Sequence, residues 1–180
     1  MNLFRDIPSG DNIPDTINVV VDVPKGANNK YEYNEEKGYF ELDRTLYSPF
    51  FFPFEYGFIP QTASGDGDSL DVALLTSFPT FSGCVIKARP IGVLLMEDEK
   101  GGDNKIIAVP DKKVDPRFGK VEDIKDLREH IKKEIEIFFA DYKKLETEKY
   151  EHVKVKGWEE VEKAKEMIKK GIEDYNKEWL

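Results

Sequence analysis

The chain changes its hydrophobic period along its length. Up to about residue 115 the apolar positions form short runs rich in β-branched residues, and beyond that they recur three and four apart. INVVVDV, from Ile17 to Val23, is a β-branched run closed by Pro24, and KGANN after it has loop composition. KYEYN alternates, and EEKG reads as a hairpin turn into YFELDRTLY. DVALLT, CVIKARPIGVLLM and KIIAVP are further short runs separated by Pro, Gly and Asp, with Pro90 marking an edge or a bulge. Many short strands with regular turn signals predict a barrel or a sandwich.

In the last third, Ile124, Leu127, Ile131, Ile135, Phe138 and Tyr142 form one stripe of an amphipathic helix. A second helix is expected from near Gly157, with Glu159 and Glu160 at its N-terminus, where the helix dipole favours negative charge. Its apolar side would hold Trp158, Val161, Ile168, Ile172, Tyr175 and Trp179, and YEHVKVKG between the helices alternates like one more strand. The expected fold is α+β: one domain spanning residues 1–180, a strand-rich barrel with two C-terminal helices packed on it.

Composition narrows the function. The 180 residues are 39% hydrophobic and 12% aromatic, which suits a packed core. The formal net charge of -9 opposes nucleic-acid binding through bulk positive charge, although a local basic cluster or a bound cation can still attract an anion. No apolar run approaches the length of a membrane span, and the single cysteine, Cys84, allows no intrachain disulfide. The expectation is a soluble cytoplasmic protein that binds neither nucleic acid nor membrane, with Cys84 a buried, inert thiol in an apolar setting.

The candidate chemistry starts at SGDGDSLDVALL. Asp66, Asp68 and Asp71 fall within six residues, without a basic residue among them, and lead directly into an apolar strand. Clustered carboxylates repel unless a counter-charge joins them, and a strand start aims them rigidly. An EF-hand loop beginning at Asp66 would need an oxygen ligand, Gly and Glu where Leu70, Asp71 and Ser77 stand. The preceding PQTASG is not the apolar strand that an aspartyl-phosphate phosphatase would place there. A divalent-cation site remains, its hard oxygen ligands suiting Mg²⁺ or Mn²⁺. MEDEKGGDNK adds Glu97, Asp98, Glu99 and Asp103, with Lys105 close by, and would complete a multi-metal site. Lys30 and Glu32 share one strand face, Arg44 shares a face with Phe40 and Leu42, and Lys143 follows Tyr142 on the helix stripe. Tyr56 is the aromatic of LYSPFFFPFEYGF whose polar tip suits a ligand.

Together these residues resemble the soluble inorganic pyrophosphatases of the first family. DGDSLD matches that family's metal signature, and PKGANNKYEY, LDRTLYSPFFFPFEYGFIPQT, ARPIGVLLMEDEKGGDNKIIAVP, FFADYKKLE and VKVKGWE extend the match over nearly the whole chain. The resemblance implies a closed barrel of the OB type flanked by two helices, several Mg²⁺ ions (with Mn²⁺ a possible substitute), pyrophosphate as substrate and a homo-hexamer. By the same resemblance Asp66, Asp71 and Asp103 ligate the tightest metals and Asp98 another, with Glu32, Asp22 and Glu99 at supporting positions of the metal set. Asp68 would be the general base toward metal-bound water. Lys30, Arg44, Tyr56, Lys105, Tyr142 and Lys143 would bind phosphate, with Lys30, Arg44 and Tyr56 also serving catalysis. Two positions depart from the pattern: Asp22 stands where the family commonly has Glu, and Phe52 where it commonly has Tyr. Two other readings are a Mg²⁺-dependent phosphohydrolase of nucleotides or polyphosphate, and a non-enzymatic OB-like binding module. The module would want a basic groove with exposed stacking aromatics, which the acidic clusters oppose.

Overall fold

The computed structural model describes residues 1–65 and 67–179, apart from the side chain of Glu178. The strands are β1 (Ile17–Val23), β2 (Asn29–Asn34), β3 (Tyr39–Thr45), β4 (Glu55–Ile59), β5 (Leu70–Leu74), β6 (Val85–Asp98), β7 (Gly101–Gly102), β8 (Lys105–Pro110) and β9 (Lys154–Glu160). The helices are α1 (Glu129–Asp141), the single turn α2 (Thr147–Tyr150) and α3 (Val161–Trp179), with short 3₁₀ turns at Pro116–Phe118 and Ile124–Asp126.

The β-branched runs become the most buried strands. Every residue of β8 is buried, as are all of β1 except Asn18 and Asp22. β1 pairs antiparallel with β4, and β4 with β5. β5 runs parallel to β8, β8 pairs antiparallel with β6, and β6 pairs antiparallel with β1, so the pairings return to the first strand. β7 and β9 add to β6, while β2 and β3 form a separate two-stranded sheet. Gly57 makes the β1–β4 approach possible: a Cβ there would lie 2.0 Å from the Val20 carbonyl oxygen.

Two apolar layers hold the assembly. One side of the sheet packs Ile17, Val19, Ile59, Val72 and Ile106 against Ala164 and Ile168 of α3. The other packs Phe52, Phe54, Ile91, Leu94 and Ile107 against Ile135, Phe138 and Phe139 of α1. Each fully buried side chain of this size contributes roughly 1.5–3 kcal/mol by leaving water.

The structure corrects four readings of the sequence. α1 starts at Glu129, so Ile124 belongs to the 3₁₀ turn and Leu127 caps it in an extended conformation, although both stay buried. α3 starts at Val161 because Trp158, Glu159 and Glu160 are taken up by β9, opposite Leu94, Val93 and Gly92. The strand expected over YEHVKVKG begins only at Lys154, since Tyr150 closes α2. Cys84 is half-buried rather than buried, and partial burial still pushes its thiol pKa up, away from reactivity. Pro90 lies at a bulge: the β6–β8 register shifts between Pro90 and Gly92.

Candidate active site

The β5–β8 register brings the two acidic clusters together. Val72 lies opposite Ile106 in the parallel pair, so the residues just before them, Asp71 and Lys105, become neighbours at the strand starts. Asp103 and Lys105 flank Asn104, whose side chain accepts the Met96 N–H and ties this segment to β6. Asp98 and Glu99 come from the end of β6, which pairs with β7. The β2–β3 ribbon borders the same space. Its register shifts between Lys30, opposite Arg44, and Tyr31, opposite Leu42, which leaves Asp43 as a bulged residue. The bulge overturns the expectation that Arg44 shares a face with Leu42. Leu42 is 55% exposed, whereas Asp43 and Arg44 both line the site.

A cavity of about 740 Å³ collects the expected residues. Asp22, Lys30, Glu32, Arg44, Tyr56, Asp68 and Asp71 line it, and so do Asp98, Glu99, Asp103, Lys105, Tyr142 and Lys143. Asp66, expected as a metal ligand, lies outside the described residues. The lining also includes Glu35, Asp43, Lys100, Lys149 and Lys170, which the motif reading did not single out.

Cations and carboxylates alternate within it. Lys105 is almost fully buried, and its ammonium lies 2.6 Å from Asp71 Oδ2, also donating to Asp103 and, at 3.1 Å, to the Tyr56 hydroxyl. Lys30 pairs with Glu32 and lies 3.5 Å from Asp43. Arg44 pairs with Asp43 and donates from Nε to Glu146 at 3.0 Å. Lys143 Nζ lies 3.4 Å from Asp98 and 3.7 Å from Glu99, and Lys100 lies 3.4 Å from Asp68. Tyr142 caps α1 and stacks on Phe138 at 5.0 Å, which fixes its ring at the cavity wall.

Burial and neighbouring charges shift several groups of the cavity. Burial, helped by the charge on Asp71, pushes the Asp22 carboxyl well above the usual range, against Lys30. Burial raises Asp103 as well, with Lys105 opposing. Tyr56 is held well up by burial together with Asp71 and Asp103. Burial acts against the charge on Lys105, but Asp71 and Asp103 hold its pKa above the ordinary value. At the rim, burial and the charge of Asp68 push Glu35 up to about 7, against Arg5.

The donor set fits hard divalent cations. Asp22, Asp71, Asp98 and Asp103 offer carboxylate oxygens, and Asp22 Oδ1 is buried without a hydrogen-bond partner. Among the described residues no three His, Cys, Asp or Glu side chains are already gathered as a metal cluster, and Lys105 occupies the space between Asp71 and Asp103. Phe52, the position without its expected hydroxyl, is buried with its ring 5.7 Å from Tyr56 and 6.5 Å from Tyr142.

Comparison with known proteins points the same way. A family model described as inorganic pyrophosphatase matches residues 19–176. An inorganic pyrophosphatase of Saccharolobus solfataricus is 51% identical over 164 residues, covering 91% of this chain and 94% of its own. One from Nanoarchaeum equitans is 52% identical over 158 residues, covering 88% and 96%. The crystal structure of inorganic pyrophosphatase from Thermus thermophilus superposes with a TM-score of 0.93 at 43% identity, covering 98% of this chain and 99% of that one.

Proposed function

Because the chain belongs to the inorganic pyrophosphatase family, an enzyme family of hydrolases, we propose that it hydrolyses inorganic pyrophosphate to two phosphates with the help of several Mg²⁺ ions. The observation that carries this reading is the convergence of two acidic clusters and five cationic or phenolic side chains, Lys30, Arg44, Lys105, Tyr142 and Lys143, on one cavity.

Pyrophosphate carries dense negative charge, so its binding and its transition state depend on positive charge held in place beforehand. Asp71 and Asp103, with Asp66, would hold the tightest ions and Asp98 another, supported by Asp22, Glu32 and Glu99. Bound Mg²⁺ would supply the missing counter-charge, polarise the phosphoryl oxygens and lower the pKa of water. Mn²⁺ has the same preference for oxygen ligands and is the natural substitute. Lys30 and Arg44 reach the substrate from the ribbon, Lys105 from the start of β8, and Tyr142 and Lys143 from the turn that closes α1. Asp68 stands at the mouth and takes the proton of the attacking water. The water oxygen bonds to one phosphorus as that phosphorus loses its bond to the bridging oxygen, which leaves with the second phosphate. Tyr56, whose hydroxyl accepts from Lys105, keeps that ammonium oriented. The shorter Asp22 reaches about one methylene less far into the site than a Glu would.

The ring of pairings from β1 through β4, β5, β8 and β6 back to β1 supports a closed OB-like barrel in a single domain over residues 1–180. The protein works in the cytoplasm on this reading. The described residues contain no helix long and apolar enough to cross a membrane. A homo-hexamer agrees with the exposure of large rings, Phe51 at 61%, Phe78 at 68% and Phe81 at 66%, which assembly would cover. Light scattering measures that mass directly.

A phosphate-release assay offered pyrophosphate, ATP and tripolyphosphate tests the reaction. Two phosphates per pyrophosphate, abolished by excess EDTA, is the expected result. Preferential release from ATP or tripolyphosphate would replace this reading with a nucleotide or polyphosphate hydrolase.

A further inference from the structure

Arg44 and Lys143 approach the cavity from different parts of the chain, and one buried carboxylate joins them. Glu146 follows α1 in the turn that leads into α2. Its side chain is only 6% exposed, and it is not among the cavity-lining residues. Its backbone is fixed on both sides. Its N–H donates to the Lys143 carbonyl at 2.7 Å, and its carbonyl accepts from Lys149 and Tyr150 at 3.0 and 2.9 Å. Its Oε1 accepts from Arg44 Nε at 3.0 Å across 102 residues of sequence, and its Oε2 lies 3.6 Å from Lys149 Nζ. A carboxylate buried this deeply is retained only when its charge is compensated. Arg44, itself 14% exposed and lining the cavity, supplies the compensation.

A guanidinium offers five N–H donors in a fixed plane. Glu146 takes the inner edge through Nε and Asp43 takes Nη1, so the plane is set by two carboxylates from different elements. The other donors remain for an anion in the cavity. Without Glu146 the long Arg44 side chain would be held by Asp43 alone and would regain rotamer freedom. Burial opposes the charge of Arg44, and Glu146 is the first group that restores it.

We propose that Glu146 is a positioning residue, which acts through Arg44 by locking its guanidinium toward the substrate phosphate while tying the β2–β3 ribbon to the turn that carries Lys143. The proposal rests on the pyrophosphate reading for the identity of the anion.

The test is a double-mutant cycle of Glu146→Ala and Arg44→Ala, read both as affinity for inorganic phosphate by calorimetry and as kcat/KM for pyrophosphate. Glu146→Gln, which keeps the shape, carries the same cycle if the alanine variant fails to fold, and the thermal midpoint of each protein is recorded. With Arg44 present, loss of Glu146 should weaken phosphate binding and lower kcat/KM by about tenfold to a hundredfold, the scale of a misplaced binding group. In the Arg44→Ala background, loss of Glu146 should change neither quantity further. Equal losses in both backgrounds, or unchanged values after Glu146→Ala, would overturn the proposal, since a purely structural residue acts whether or not Arg44 is there. A wild-type protein that binds phosphate and shows this coupling, yet releases none from pyrophosphate, would overturn the functional reading and leave the positioning role standing.

Discussion

The ammonium of Lys105 lies 2.6 Å from the carboxylate of Asp71, and the parallel pairing of two strand starts puts them there. Lys105 is 3% exposed, so in the ion-free protein it is the buried counter-charge for both Asp71 and Asp103. Lys105→Met should therefore destabilise that protein by about 1–3 kcal/mol, because it leaves the half-buried Asp71 and Asp103 carboxylates without their shared donor. Urea unfolding in EDTA measures this. Adding Mg²⁺ should restore more stability to the variant than it adds to the wild type, and an equal gain in the two proteins would count against the cation sharing this space.

The roles of two carboxylates in one segment separate by chemistry. Asp71→Asn removes a ligand charge, so metal affinity and activity should fall together. Asp68→Asn keeps the shape but cannot accept a proton, so turnover should drop by roughly 10²–10⁴-fold while metal affinity changes much less. Calorimetric Mg²⁺ or Mn²⁺ titration beside pH-dependent turnover decides the matter. Equal metal loss in both variants, with an unchanged pH profile for Asp68→Asn, would make Asp68 a ligand.

Glu35 predicts a pH dependence of stability. Its folded pKa is raised from 4.5 to about 7, mainly by burial and then by Asp68. A raised carboxyl favours the fold when protonated, so its contribution is complete below about 4.5 and is lost as pH rises through about 7. Relative to wild type, Glu35→Gln should thus gain stability between pH 5 and pH 8. Denaturation of both proteins at the two pH values checks the sign, and a constant difference would mean that Glu35 titrates normally.

Phe52→Tyr restores the hydroxyl common in the family. The ring is buried against Phe138 at 4.7 Å and stands near Tyr56 and Tyr142, so the new group must find a partner there. One neutral hydrogen bond contributes roughly 0.5–1.5 kcal/mol, so kcat/KM should stay within about tenfold. Steady-state kinetics would show a change of several orders of magnitude if the position had a larger part in the reaction.

Much of this site was legible because its chemistry is written in local clusters. Asp68 and Asp71 precede an apolar strand, and Asp98 and Asp103 bracket a turn, so pattern alone placed them at strand ends. What pattern could not show was set by pairing between distant segments. The bulge that turns Asp43 inward beside Arg44 leaves the alternation of YFELDRT unchanged on paper. Trp158 to Glu160 carry the charge signature of a helix start, but pairing with β6 overrides it. Glu146 reads as one more surface acid until the fold sets it against Arg44. The half-burial of Glu35 likewise depends on what packs over it and not on its neighbours in sequence.

The separate pairing of β2 with β3 gives the two walls of the cavity unequal stiffness. Asp71 and Lys105 stand on strands paired with neighbours on both sides, whereas Lys30 and Arg44 ride on a ribbon whose strands pair only with each other. Such a ribbon is marginal without side-chain anchorage. Here Tyr33 supplies it, stacking on Phe58 at 6.1 Å and accepting the Leu3 N–H at 2.9 Å. The cavity thus resembles a vice with one fixed jaw and one sprung jaw. Ion spacing belongs to the fixed jaw, whereas the sprung jaw is seated by side chains, Tyr33 against Phe58 at the cavity wall and Arg44 on Glu146.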